Sequence, residues 1–179
     1  MAVQYERAVA RVSSLLRSLD SQMDKIQYTM RPARRPASPW VEVQQSLPRR
    51  VAAISPFIDQ LMSFIRSFLR NGSSTNSAEG DVEIALREAL SNAILHGNLE
   101  RAENRVSVSC RCSMDGEVRI RVRDEEPGFG AFPALNSKDG DDLMLDHGRE
   151  LCLLKSLMDE VALEEHGRVV MMRKRLRAA

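Results

Sequence analysis

The sequence predicts an α+β fold, a two-layer sandwich of an antiparallel-rich sheet with helices on one face. Three observations carry this. Apolar and polar residues alternate over Arg105–Met114 and Glu117–Asp124, two half-buried strands joined by a tight turn at Asp115-Gly116. Two segments, Arg50–Leu69 and Asp81–Gly97, carry apolar residues at helical spacing. A third helix over Arg149–Met158 leads into two closing strands near Glu160–Glu164 and Arg168–Arg175.

The elements divide the 179 residues into an appendage and one domain. Within Met1–Met30, Tyr5, Val9, Val12, Leu16, Leu19, Met23 and Ile26 alternate spacings of four and three, the seam of a heptad-patterned helix. Such a helix pairs with a second copy, giving a homodimer, or lies on its own domain. "RPARRPASP" at 31–39 is a linker, because three prolines among basic and small residues sustain neither a helix nor a central strand. The domain proper spans 40–179. "WVEVQQSLP" opens it as a strand that Pro48 ends. In the next helix Val51, Ile54, Phe57, Ile58, Leu61, Met62, Ile65 and Leu69 form the apolar stripe. "NGSSTNSAEGD" is a loop, rich in residues that satisfy their own backbone. "PGFGAFPALNSKDGDDLMLDHG" is long and polar for a simple connection, and loops of that kind often act as lids.

Composition sets outer bounds. Charge is balanced, 26 Lys+Arg against 25 Asp+Glu, so no global field draws the chain to nucleic acid or to a membrane. No apolar run approaches membrane-spanning length. The three cysteines, Cys110, Cys112 and Cys152, lack metal-ligand spacing and read as small hydrophobes in a reducing compartment. A cytoplasmic protein is expected.

Two polar anomalies mark a site. Val118, Ile120 and Val122 share one face of a strand, and the next residue on that face is Asp124. A carboxylate buried without a partner is costly, so Asp124 must receive a donor. On the helix "DVEIALREALSNAILHGN", Glu88, Asn92 and His96 are four apart, each about 40° around from the last. Their line borders the arc of Val82, Ala85, Leu86, Ala89 and Ala93. A solvated edge would explain that line taken alone; with Asp124 it suggests a nucleotide site. Asp124 would accept from the exocyclic amino group of a base. Asn92 would offer an oxygen to Mg²⁺, and Glu88 would take a proton from a hydroxyl or water. Pro127, Gly128 and Gly130 allow a sharp turn exposing backbone N–H groups, and Gly148 and Arg149 stand at a helix start suited to an anion. A G-x-x-x-x-G-K-[ST] loop is absent, which excludes a P-loop protein.

"EALSNAILHGN" resembles the N box of the Bergerat-fold (histidine-kinase-like) ATPases, "VRDEEPGFG" their D-x-G-x-G box, and "HGRELCLLKSLMDEV" the helix after their ATP lid. With "LMDEV" and a short domain free of inserts, the whole is most similar to the bacterial anti-sigma-factor serine/threonine kinases over Trp40–Leu176. The resemblance implies a two-layer Bergerat sandwich that binds ATP and Mg²⁺. It also implies that the protein holds a sigma factor and phosphorylates a STAS-type anti-anti-sigma antagonist. By position, Glu88 is then the general base, Asn92 the Mg²⁺ ligand and Asp124 the adenine contact, with His96 near the nucleotide in an unassigned role. Gly128 and Gly130 turn under the nucleotide, and Gly148 and Arg149 approach its phosphates.

The chain departs from that pattern at three points. Glu126 replaces the first glycine of the Asp box, Glu150 the glycine commonly following Gly-Arg, and Val169 the threonine of a Gly-Thr-Thr-like strand. Glutamates facing the pocket would repel ATP. The alternative reading is therefore a degenerate domain acting as an anti-sigma or scaffold module by contacts alone. A histidine-kinase half is disfavoured, because His96, His147 and His166 all lie outside the N-terminal helix.

Overall fold

The structure is a computed structural model that describes residues 10, 27–31, 40–69, 76–95, 105–113, 115–124 and 146–176. Its strands are β1 (Gln27–Arg31), β2 (Trp40–Pro48), β3 (Arg105–Ser113), β4 (Glu117–Asp124), β5 (Glu160–Glu164) and β6 (Val169–Arg175). Its helices are α1 (Ile54–Leu69), α2 (Asn76–Leu95) and α3 (Asp146–Leu157). All the strands pair antiparallel in one sheet of order β1-β2-β3-β4-β6-β5. The expected α+β two-layer sandwich is present.

Alternation decides which face is covered. Val41, Val43 and Leu47 of β2, Val106, Val108, Cys110 and Cys112 of β3, and Val118, Ile120 and Val122 of β4 are buried on one side. Successive strand residues point to opposite faces, so their neighbours form the other side, which is charged. There Arg111 pairs with Glu42 at 3.1 Å, Arg121 with Glu164 at 2.8 Å and Arg123 with Glu165 at 2.7 Å. The Arg111 guanidinium also lies 3.9 Å from the centroid of the Trp40 ring. Exposed pairs of this kind contribute little each, about 0–1 kcal/mol. They keep this face wet and leave the helices only the other one.

Helix α1 buries Phe57, Ile58, Leu61, Met62, Phe64, Ile65, Phe68 and Leu69. Helix α2 buries a narrower arc built on alanines, Val82, Ala85, Leu86, Ala89, Leu90, Ala93 and Ile94. Small residues let α2 approach the sheet closely. Lys174 of β6 fixes its position, donating to Asp81 of α2 at 2.9 Å and to the Leu157 carbonyl of α3 at 2.5 Å.

Four boundaries differ from the sequence expectation. Gln27–Arg31 is a strand, rather than the end of the helix with Arg31 opening the linker, and it covers the edge of β2, pairing Gln27 with Gln44 and Arg31 with Trp40. An open edge offers a row of unpaired N–H and C=O groups that a helix cannot meet. The heptad residues before it and the linker at 32–39 lie outside the described residues. Next, Val51–Ala53 forms a 3₁₀ turn ahead of α1, which leaves Val51 59% exposed instead of in the apolar stripe. Helix α2 begins at Asn76, five residues before the expected Asp81, so "NSAEGD" is helical rather than loop. Glu79 in its first turn suits the helix dipole, and Arg66 of α1 holds it at 3.0 Å. Helix α3 begins at Asp146, so Gly148 and Arg149 lie within its first turn rather than at its opening residue.

The turns follow expected chemistry. Gly116 takes φ 92° between β3 and β4. The link from β5 to β6 needs positive φ at Glu165 (53°) and Gly167 (84°). Only the second is a residue that adopts such torsions freely.

Candidate functional site

The end of β4 defines the site. Asp124 stays on the face of Val118, Ile120 and Val122 and is 0% exposed, as the parity of the strand requires. Its backbone N–H donates to the Arg168 carbonyl at 3.0 Å, so the residue before β6 anchors this strand end. In register, Asp124 stands opposite Val106, and the neighbouring Arg105 stands opposite Pro48 at the end of β2. Arg105 reinforces that corner, donating to the Ser46 hydroxyl at 2.7 Å and to its carbonyl at 2.8 Å.

Arg49, the residue after β2, supplies the donor that a buried carboxylate demands. Its side chain is 3% exposed and crosses the start of β3 on the helix-facing side. A single nitrogen, Nη2, donates both to Asp124 Oδ2 and to the Ala93 carbonyl of α2, the latter at 2.8 Å. The strand-end acid is thereby bridged to the turn of α2 that carries Asn92. Arg49 Nε and Nη1 are buried and meet no acceptor among the described residues. The sequence had a signal for this residue. Asp124 required a donor, and "LPRR" puts arginines at the end of β2, two strands from β4.

On α2, Glu88 is half-buried and Asn92 is 6% exposed. They lie one turn apart on one side of the helix, and Asn92 immediately precedes the residue whose carbonyl holds Arg49. The structure therefore brings Asn92 and Asp124 to one region between α2 and the strand end, with Glu88 farther along the same line. Gly148 and Arg149 belong to α3, and Arg149 is exposed. His96, Gly128, Gly130 and Glu126 lie outside the described residues. Glu150 is half-buried in α3, and Val169 is fully buried opposite Arg123 and Glu164. Val169 thus offers no hydroxyl near the strand end.

Among the described residues, no three His, Cys, Asp or Glu side chains gather as a metal site. A cation held by Asn92 would complete its shell with water and phosphate oxygens, the usual habit of Mg²⁺. Nor is any helix of the described residues long and apolar enough to cross a membrane.

The chain is similar in sequence to known proteins. The family described as histidine kinase-like ATPase domain matches residues 56–174. An anti-sigma F factor of Heyndrickxia coagulans is 29% identical over 102 residues, 52% of this chain and 67% of that protein. A protein named serine-protein kinase RsbW, of Staphylococcus epidermidis, is 30% identical over 114 residues, 60% of this chain and 71% of that protein. Among solved structures, the RsbU and RsbW domains of Rv1364c from Mycobacterium tuberculosis align with TM-score 0.46 and 16% identity. That alignment covers 76% of this chain and 32% of the other. The chain belongs to the histidine kinase-like ATPase domain family, and within it to the family of the staphylococcal serine-protein kinase.

Proposed function

We propose that the chain is an ATP- and Mg²⁺-dependent serine/threonine kinase that holds a sigma factor and phosphorylates a STAS-type anti-anti-sigma antagonist. The observation that carries this is the fully buried Asp124 set against the α2 turn bearing Asn92. A buried acid at a strand end, close to a helix with an amide and a carboxylate, is the donor-acceptor set that a purine nucleotide with its cation needs. The names of the relatives, an anti-sigma factor and a serine-protein kinase, support the sigma-factor partner and the class of reaction.

Bound ATP would supply the transferred phosphoryl group. The residues of the chain then do three things. Asn92 gives its amide oxygen to the cation, Asp124 accepts from the amino group of the base, and Glu88 takes the proton of the incoming hydroxyl. Gly148 and Arg149, in the first turn of α3, would hold the phosphates through backbone N–H groups and a guanidinium. So few catalytic side chains suffice because phosphoryl transfer depends mainly on positioning and electrostatics. The test is phosphorylation of the cognate STAS protein by the purified chain. Glu88→Ala should slow it by about 10²–10⁴-fold, the usual worth of a positioned base, without altering the far-UV spectrum. Undiminished transfer by that variant would remove Glu88 from the role.

A second reading, regulation by protein contacts alone, is favoured by Arg49, which already engages the acid a base would use. Calorimetry with ATP and Mg²⁺ separates the two. Binding heat supports the kinase, and its absence at millimolar nucleotide, with sigma-factor binding retained, supports the contact-only module.

A further inference from the structure

We propose that Arg49 is a removable latch on the base pocket, a residue that competes with the purine for Asp124 and so sets nucleotide affinity and base preference. The inference rests on the nucleotide-site reading above. Its starting point is chemical likeness. The terminal N–H₂ of a guanidinium and the exocyclic N–H₂ of a 6-aminopurine are both planar two-proton donors. Arg49 Nη2 uses its protons on Asp124 Oδ2 and the Ala93 carbonyl, so it stands where the amino group of the base would stand. A base cannot use that carboxylate oxygen in the same way until the guanidinium withdraws.

The latch is built to open. Arg49 Nε and Nη1 are buried and meet no acceptor among the described residues, so there the closed position leaves three N–H protons unmet. Burial of unmatched charged donors is unfavourable, and withdrawal to water would satisfy all of them. The path is short. Arg49 as a residue is half-exposed while its side chain is 3% exposed, so the backbone lies at the surface and only the side chain reaches inward. It follows Pro48 in the turn between β2 and α1, and neighbouring Arg50 is exposed. Rotation about side-chain bonds is enough to swing the guanidinium out. Asp124 then gains the amino group of the base in exchange for a cation, and its buried charge keeps a donor in both states.

The experiment is titration calorimetry of the full chain with ATP and with inosine triphosphate, each with Mg²⁺. Inosine triphosphate carries a 6-oxo acceptor where ATP carries the amino group. Arg49→Ala is expected to bind ATP about tenfold or more tightly than the parent chain, the worth of one hydrogen bond to a charged group. Its affinity for inosine triphosphate should change far less, because no amino group is there to take the released carboxylate. Arg49→Lys keeps a cation but loses the fork, so its ATP affinity should fall between the two. That variant also serves if Arg49→Ala does not fold. An unchanged or weaker ATP affinity in both variants overturns the latch and leaves the kinase reading standing, provided the parent chain binds ATP. Equal gains for both nucleotides also overturn it, since they would reflect general loosening. Binding of neither nucleotide by any of the three proteins removes the latch and the nucleotide site together.

Discussion

Asp124 and Cys112 show what burial does to single ionisable groups on one sheet. Both point at the helices and both are fully buried. The carboxylate is paired with Arg49, whereas the thiol has another thiol beside it, Cys110 Sγ at 3.9 Å. Burial pushes the Cys112 thiol well above its ordinary value, with the Cys110 contact adding to the effect. A raised thiol pKa means less thiolate, the nucleophilic form, at any working pH. Cys152, by contrast, is exposed on α3. A thiol-specific chromogenic reagent at pH 8 should therefore react with one equivalent quickly and with two more only after denaturation. Rapid reaction of all three in the native protein would contradict the burial of β3.

At the scale of the element, Gly80 separates propensity from packing. It lies inside α2 without positive φ, and an added Cβ would meet nothing within 4 Å. Glycine in a helix interior is less stable than alanine by about 0.5–1 kcal/mol, chiefly through backbone entropy. Gly80→Ala should raise the melting temperature by about 1–4 °C for a chain of this size. A fall would show that the first turns of α2 are not helical in solution. The same stretch is helix where its composition predicts a loop. Asn, Ser and Gly favour turns by local bonding, yet Arg66 on α1 and the partly buried Ala78 hold the segment as helix. Tertiary contacts outweighed propensity there.

At the scale of the whole molecule, β1 couples the N-terminal segment to the sheet. If the heptad seam pairs two chains, removal of residues 1–26 should halve the mass measured by light scattering while β1 remains to cover β2. Removal of 1–36 takes β1 as well and bares the edge of β2. That shorter chain should melt lower and aggregate more readily than the 1–26 deletion, because an unpaired edge strand recruits other strands. Equal melting temperatures would argue that Gln27–Arg31 adds nothing to the sheet.

Much of this architecture was written in local patterns. The period-two runs of β2, β3 and β4 and the period-3.6 runs of α1 and α2 give most of the residues that face the core, because side-chain direction follows backbone geometry; for α1 the stripe wrongly includes Val51 and omits the buried Phe64 and Phe68. The parity of β4 likewise places Asp124 inside, and the four-residue spacing of Glu88 and Asn92 places them on one line of one helix. What lay beyond sequence was the identity of partners separated along the chain. Arg49 meets Asp124 across 75 positions. That meeting depends on strand order and register, which bring the end of β2 within an arginine's reach of the end of β4. Periodicity sets the face on which a side chain emerges, while sheet pairing alone decides which distant group waits there, and so the sequence makes a donor for the buried acid necessary without saying which residue supplies it.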